Sequence, residues 1–254
     1  MAKLDAVLKE GLLVDRMWLA KHGVKPTAVD YYVRTGKLET LVHGLYRKPG
    51  PPLKWQQVVY SLNLLGHDVS IGHLTALAYH GFVHNLTLGV MQRIRLYSNQ
   101  NLPSWVMKVK IDPGFIKMRS NLFKDDSVGL IEVPFGTWDW PIQYSTAERA
   151  FIELTGTIET KEEIFQAKLM LEGAANLRPR LMQVLLETCD NIKAKRLFLW
   201  LSRSVGHFWY QHLDISRIDL GAGKRQIVIG GALDAQFMIT VPKETQDGQQ
   251  ESLF

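Results

Sequence analysis

Four histidines lie close together in the chain: His67, His73, His80 and His84. His80 and His84 are spaced i, i+4, which would let two imidazoles share one metal on a helix face. Gly81 falls between them and stops a helix, and no acidic residue lies among residues 73–84 to complete a ligand set. Capping or partly buried histidines are therefore expected, and no metal. Gly221-Ala222-Gly223-Lys224 looks like a phosphate loop but lacks the six-residue P-loop frame. Arg225 stands where that loop needs Ser or Thr, and β-like sequence follows instead of a helix. A hairpin or pre-strand loop is expected, although Lys224 and Arg225 could still touch phosphate. Cys189 has no neighbour in sequence that would depress its pKa, so an inert core thiol is expected. Trp138-Asp139-Trp140-Pro141 could stack on bases, but its apolar surroundings favour burial. Phe198, Trp200, Phe208, Trp209 and Tyr210 are read as core, and Asp125-Asp126 as solvated. Neither G-x-S-x-G nor H-E-x-x-H occurs. No catalytic residue, metal or cofactor is expected, and the chain is read as a non-enzyme.

A different chemistry stands out in residues 24–48. Val24, Ala28, Val29, Tyr32 and Val33 make one apolar helical stripe. That leaves Lys25, Thr27, Asp30, Tyr31 and Arg34 outward, with Lys37 just beyond. Arg34 can pair bidentately with guanine, Thr27 can touch a thymine methyl or a phosphate, and Tyr31 can reach a phosphate. Asp30 is the odd member: it can accept from cytosine N4 or orient a neighbour. His43, Arg47 and Lys48 follow on a hairpin that would lie beside the DNA backbone or minor groove.

The elements that must position these residues can be read in turn. Leu4, Val7 and Leu8 make a short amphipathic helix closing near Gly11. Asp15 is the expected N-cap of a helix over Arg16–His22, with Trp18 and Leu19 inward and Gly23 as its stop. A third helix starts at Pro26 and ends before Gly36. His43-Gly44 joins two short β-like segments as a hairpin. This is a winged helix-turn-helix, a module that also serves in protein interaction. Pro49-Gly50-Pro51-Pro52 reads as a linker, which places the DNA-binding domain at 1–52, a larger α+β domain at 53–242 and a flexible polar tail at 243–254. In the larger domain, helices are predicted over Lys54–Leu65, Gly72–His80, Lys161–Glu172, Arg178–Thr188 and Ile192–Ser204. A Ser145–Glu148 capping box opens a further helix ending at Gly156. Strands are predicted over Met91–Tyr97, Trp105–Ile111, Val128–Val133, Gln226–Gly230 and Gln236–Val241, with a turn at Pro134-Phe135-Gly136. The fold class is α+β.

The 254 residues carry one cysteine, which excludes a disulfide scaffold and a Cys-rich zinc site. No membrane span is expected, and a cytoplasmic protein is expected. Residues 1–119 hold 16 Lys and Arg against 7 Asp and Glu, a net +9, whereas residues 120–254 hold 14 against 18, a net −4. The basic excess runs past the expected boundary, through Arg93, Arg95, Lys108, Lys110, Lys117 and Arg119. A second basic surface for DNA or another partner is therefore expected beyond the winged helix.

Four stretches carry a resemblance: VRTGKLETLVHGLYRKP within Val29–Pro49, SIGHLTALAYHG at Ser70–Gly81, STAERAFIEL at Ser145–Leu154, and GAGKR with IGGALDAQFMITVP within Leu197–Pro242. In these the chain resembles the AbiEi family of type IV (abortive infection) antitoxins and transcriptional repressors, over nearly its whole length. The resemblance implies an N-terminal winged helix that represses the operon by binding double-stranded operator repeats; self-association on DNA is a separate expectation. The resemblance also implies a C-terminal domain with antitoxin activity against a nucleotidyltransferase-like toxin, without a stable complex. The DNA-contact positions it implies are Lys25, Thr27, Tyr31, Arg34, His43, Arg47 and Lys48, to which the helix pattern adds Lys37. Arg149, Lys193, Lys195, Arg196, Lys224 and Arg225 are the basic residues expected to act on the C-terminal domain. A nucleic-acid-acting enzyme recruited by the winged helix, or a ligand-sensing regulator, are the competing readings.

Overall fold

A computed structural model describes residues 4–83 and 93–242. The expected polar tail, His84 and the start of the Met91–Tyr97 strand lie outside the described residues. The chain forms two compact units. One comprises the residues up to Asn121 with Asp126–Ala147, and the other comprises Leu122–Asp125 with Glu148 onward.

The first unit begins with α1 (Leu4–Val7), β1 (Val14–Asp15), α2 (Arg16–Lys21), α3 (Pro26–Arg34), β2 (Glu39–Val42) and β3 (Leu45–Arg47). Asp15 caps α2 as expected, its carboxylate accepting from the Trp18 N–H at 2.7 Å. Gly23 follows α2 at φ 80°, the left-handed conformation that a non-glycine residue adopts only with strain. Gly44, also at φ 80°, closes the β2–β3 hairpin. The three strands pair in the order β1-β3-β2, all antiparallel. These elements make the winged helix-turn-helix.

Its core does not stop at Pro52. Leu4, Leu8, Leu12, Val14, Leu19, Val24, Val29, Leu38 and Tyr46 share one buried cluster with Trp140, and Tyr60 and Phe135 pack against it. The Leu13 N–H donates to Ser61 Oγ at 2.9 Å. Tyr60 and Trp140 stack at 4.7 Å between ring centroids, 3° from parallel. The winged helix is thus built onto α4 (Trp55–Leu64), and the boundary expected at Pro52 does not separate compact units. The reason is physical: so small a module buries its apolar faces incompletely alone.

Beyond α4 come β4 (Ser70–Ile71), α5 (His73–Tyr79), β5 (Arg93–Tyr97), β6 (Gly114–Met118), β7 (Leu130–Phe135) and β8 (Trp140–Ser145). They form a mixed sheet in the order β6-β5-β4-β8-β7, with β5/β6 and β4/β8 parallel. Two expectations are corrected here. The strand predicted at Trp105–Ile111 is absent: Ser104–Met107 is a 3₁₀ turn, with Trp105 O accepting from the Lys108 and Val109 N–H groups. Pro103 and Pro113 bracket this stretch, and local hydrogen bonds replace sheet pairing there. The helix that follows also begins at Ala147, one residue later than an N-cap at Ser145 requires, and Ser145 itself ends β8 paired with Leu130.

The second unit is mainly helical: α6 (Ala147–Thr157), α7 (Lys161–Glu172), α8 (Pro179–Thr188) and α9 (Ile192–Val205), then β9 (Arg225–Gln226), β10 (Ala232–Asp234) and β11 (Ile239–Val241) in the order β10-β11-β9. Residues 148–155 of α6 are all buried. A helix covered all round must pair its charges internally. Glu148 accepts from the Arg178 N–H at 2.8 Å and from its guanidinium at 2.9 and 3.0 Å. Arg149 Nε donates to Glu153 at 2.9 Å, and its guanidinium lies 4.7 Å from the Phe123 ring. The Glu148 carboxylate, expected in a capping box, thus serves Arg178.

Candidate nucleic-acid interface

The apolar stripe of α3 is anchored by Val24 and Val29, both buried. The opposite face carries Thr27, Asp30, Tyr31 and Arg34, all exposed and spaced i, i+3, i+4, i+7, with Lys25 at the N-cap. This spacing puts them on one side of the helix. Lys37 is exposed just past the C-terminus, where its N–H and that of Leu38 close the helix by donating to Tyr32 O at 2.8 and 3.0 Å. The Arg34 guanidinium lies 5.9 Å from the Tyr31 ring centroid. Among the described residues, Lys25, Arg34 and Lys37 form no ion pair. Three cations beside hydroxyls on a free helix face suit a phosphate-lined groove. His43 is exposed at the tip of the wing.

Two wing residues are otherwise employed. Arg47 is buried, its Nε donating to Glu39 Oε1 at 3.1 Å and its Nη1 to Pro51 O at 2.9 Å. It ties β3 to the segment after the wing. Lys48 Nζ pairs with Asp5 at 2.8 Å. Arg16 is a residue that sequence reasoning missed. Its Nε donates to Tyr46 Oη at 2.8 Å and its Nη2 to Asp30 Oδ1 at 2.5 Å. The helix start at Arg16 was legible, but its partners lie 30 and 14 residues away.

The second basic group divides. Arg93, Lys108 and Lys110 are exposed in the first unit, with Lys117 and Arg119, whereas Arg95 is half-buried. In the second unit Lys224 and Arg225 are exposed and Lys193 is half-buried. Arg149, Lys195 and Arg196 are buried, so the expectation of a basic surface is corrected at these three. Arg196 Nε donates to Leu220 O at 2.6 Å, Nη1 to Gly223 O at 2.6 Å and Met238 O at 3.1 Å, and Nη2 to Gly221 O at 3.0 Å. The Gly221–Gly223 loop therefore turns its carbonyls onto a cation. A phosphate loop does the reverse, presenting N–H groups to an anion.

His80 Nε2 is 2.9 Å from Ser145 O, and no group of three metal-ligating side chains occurs among the described residues. Burial pushes the Cys189 thiol up to about 11. Trp140 is buried, but Trp138 is half-exposed with Lys9 Nζ 4.5 Å above it. Phe208 is exposed, unlike the buried Phe198, Trp200 and Trp209 around it in sequence. No described helix is long and apolar enough to cross a membrane.

Residues 1–88 match the family profile described as transcriptional regulator, AbiEi antitoxin N-terminal domain. Residues 91–242 match that described as transcriptional regulator, AbiEi antitoxin, type IV TA system. The chain belongs to the AbiEi family. It is a member of the type IV antitoxin transcriptional regulators, a group described by regulation and not by catalysis. No curated protein matches this AbiEi-family sequence. Among solved structures, the RV2827C protein of Mycobacterium tuberculosis is similar at 12% identity and a TM-score of 0.57, over 91% of this chain and 86% of that one. At that identity the likeness is one of fold.

Proposed function

We propose that this AbiEi-family protein represses its own operon by seating α3 in the major groove of operator repeats. The exposed Thr27–Asp30–Tyr31–Arg34 stripe flanked by Lys25 and Lys37 carries this reading. Arg34 and Thr27 read bases, while Lys25, Tyr31, Lys37 and His43 hold phosphates. Lys48 joins them on leaving Asp5, and Arg93, Lys108 and Lys110 offer further phosphate contacts from the same unit. Copies of the protein sit side by side on adjacent repeats. The domain beyond the winged helix opposes a nucleotidyltransferase-like toxin without a stable complex.

A fluorescence-anisotropy titration of promoter duplex tests the first part. Arg34→Ala is expected to weaken binding by about 1–3 kcal/mol and to relax preference at one position. Lys25→Ala is expected to weaken all sequences alike and to lower the salt slope by about 0.9. Arg34→Ala binding as tightly as wild type would sink the docking. Co-expression with the neighbouring toxin gene tests the second part, with restored growth expected and unrelieved toxicity refuting it.

A further inference from the structure

Asp30 occupies the middle of the α3 stripe, three residues after Thr27 and four before Arg34. A carboxylate there opposes a polyanion unless it accepts a hydrogen bond from a base. In the major groove only the amino groups of cytosine and adenine donate. Adenine places its N7 acceptor beside that amino group, which repels the second carboxylate oxygen; cytosine has no acceptor there. Cytosine is thus the base an Asp reads.

The Asp30 carboxylate is held. Arg16 Nη2 grips its Oδ1 while Arg16 Nε donates to Tyr46 Oη, so one guanidinium joins α2, α3 and β3. The guanidinium also lies 5.7 Å from the Tyr46 ring centroid, and Tyr46 itself is buried. The Arg16 and Asp30 side chains are 49% and 62% exposed, so as a stabilising pair they contribute little. Their effect is to fix one acceptor oxygen in place and to cancel its charge near the phosphates. Two conditions for base reading, a fixed acceptor and no net repulsion, are met by the same contact.

We propose that Arg16, Asp30 and Tyr46 form one base-reading unit: Asp30 accepts from the amino group of a cytosine at one operator position, and Arg16, braced by Tyr46, is its positioning residue. This rests on α3 being the DNA-reading helix. The test selects a randomised promoter duplex library with the full-length protein, followed by anisotropy on duplexes differing only at the position found. Wild type is expected to favour cytosine there by on the order of tenfold. Asp30→Asn is expected to lose that preference or shift it to adenine. Arg16→Lys keeps the charge but loses the two-pronged grip, so it is expected to lose discrimination at that position alone, with the salt slope unchanged. Tyr46→Phe, which keeps the buried ring, is expected to do the same more weakly. If Arg16→Lys weakens all sequences equally, or if every variant keeps the wild-type preference, the unit does not exist. A wild type without any base preference overturns the reading of α3 instead.

Discussion

Arg196 separates a structural role from a DNA-binding one most sharply. Its side chain is buried and donates to four backbone carbonyls on two segments, Leu220–Gly223 and Met238. Burial, with the nearby charge of Arg225, pulls this guanidinium below its ordinary pKa. In Arg196→Met the stem is kept and the donors vanish. Four charge-assisted bonds at about 1.5–3 kcal/mol each set the gross loss. Gly221 and Gly223 lie on an exposed loop whose carbonyls recover water, and the desolvation of the cation is refunded, leaving a net loss of about 2–4 kcal/mol. Arg196→Lys is expected to lose most of this too, because one ammonium cannot span the four acceptors. Urea unfolding followed through Trp200 and Trp209 in the same unit reads the midpoint, and proteolysis reads the loosened Gly221–Gly223 loop. Operator affinity of the folded variant is expected to equal wild type. A variant as stable as wild type but weak on DNA would refute the argument and return Arg196 to the binding surface.

Three more outcomes follow from buried groups. Arg47→Met is expected to cost about 1–2 kcal/mol of stability without changing the salt slope of DNA binding, measured by melting and by titration at several ionic strengths. Burial alone pushes the Glu148 carboxyl up, but the hydrogen bonds and charge of Arg178 outweigh it and hold the pKa below its ordinary 4.5. A depressed carboxylate stabilises above its unfolded pKa, so this contribution is expected to fade as pH falls below 4.5. Glu148→Gln should flatten that part of the stability profile, and an unchanged profile refutes the assignment. With its thiol pushed up to about 11, Cys189 is expected to react with a disulfide reagent at pH 8 only after unfolding; rapid reaction of the native protein would contradict its burial.

Local signals determined the winged helix from sequence. Asp15 as N-cap, Pro26 at the start of α3, Gly23 and Gly44 at left-handed turns and the apolar stripe of α3 each act within a few residues, so a single chain displays them. The outward residues of α3 followed from the same periodicity. Tertiary structure alone decided what the remaining charges do. Arg47, Arg149, Lys195 and Arg196 look like solvated cations in sequence, yet each is buried in the fold. For Arg196 the burial is set by acceptors far along the chain, Leu220, Gly221, Gly223 and Met238. The junction at Pro52 is of the same kind. Proline and glycine mark where a chain turns, but only the Trp140–Tyr60 stack and the shared core show that the turn leads back into the same unit. Sequence spacing reports which side of an element a residue takes, and the charge on that side becomes a surface or a strut according to what folds over it.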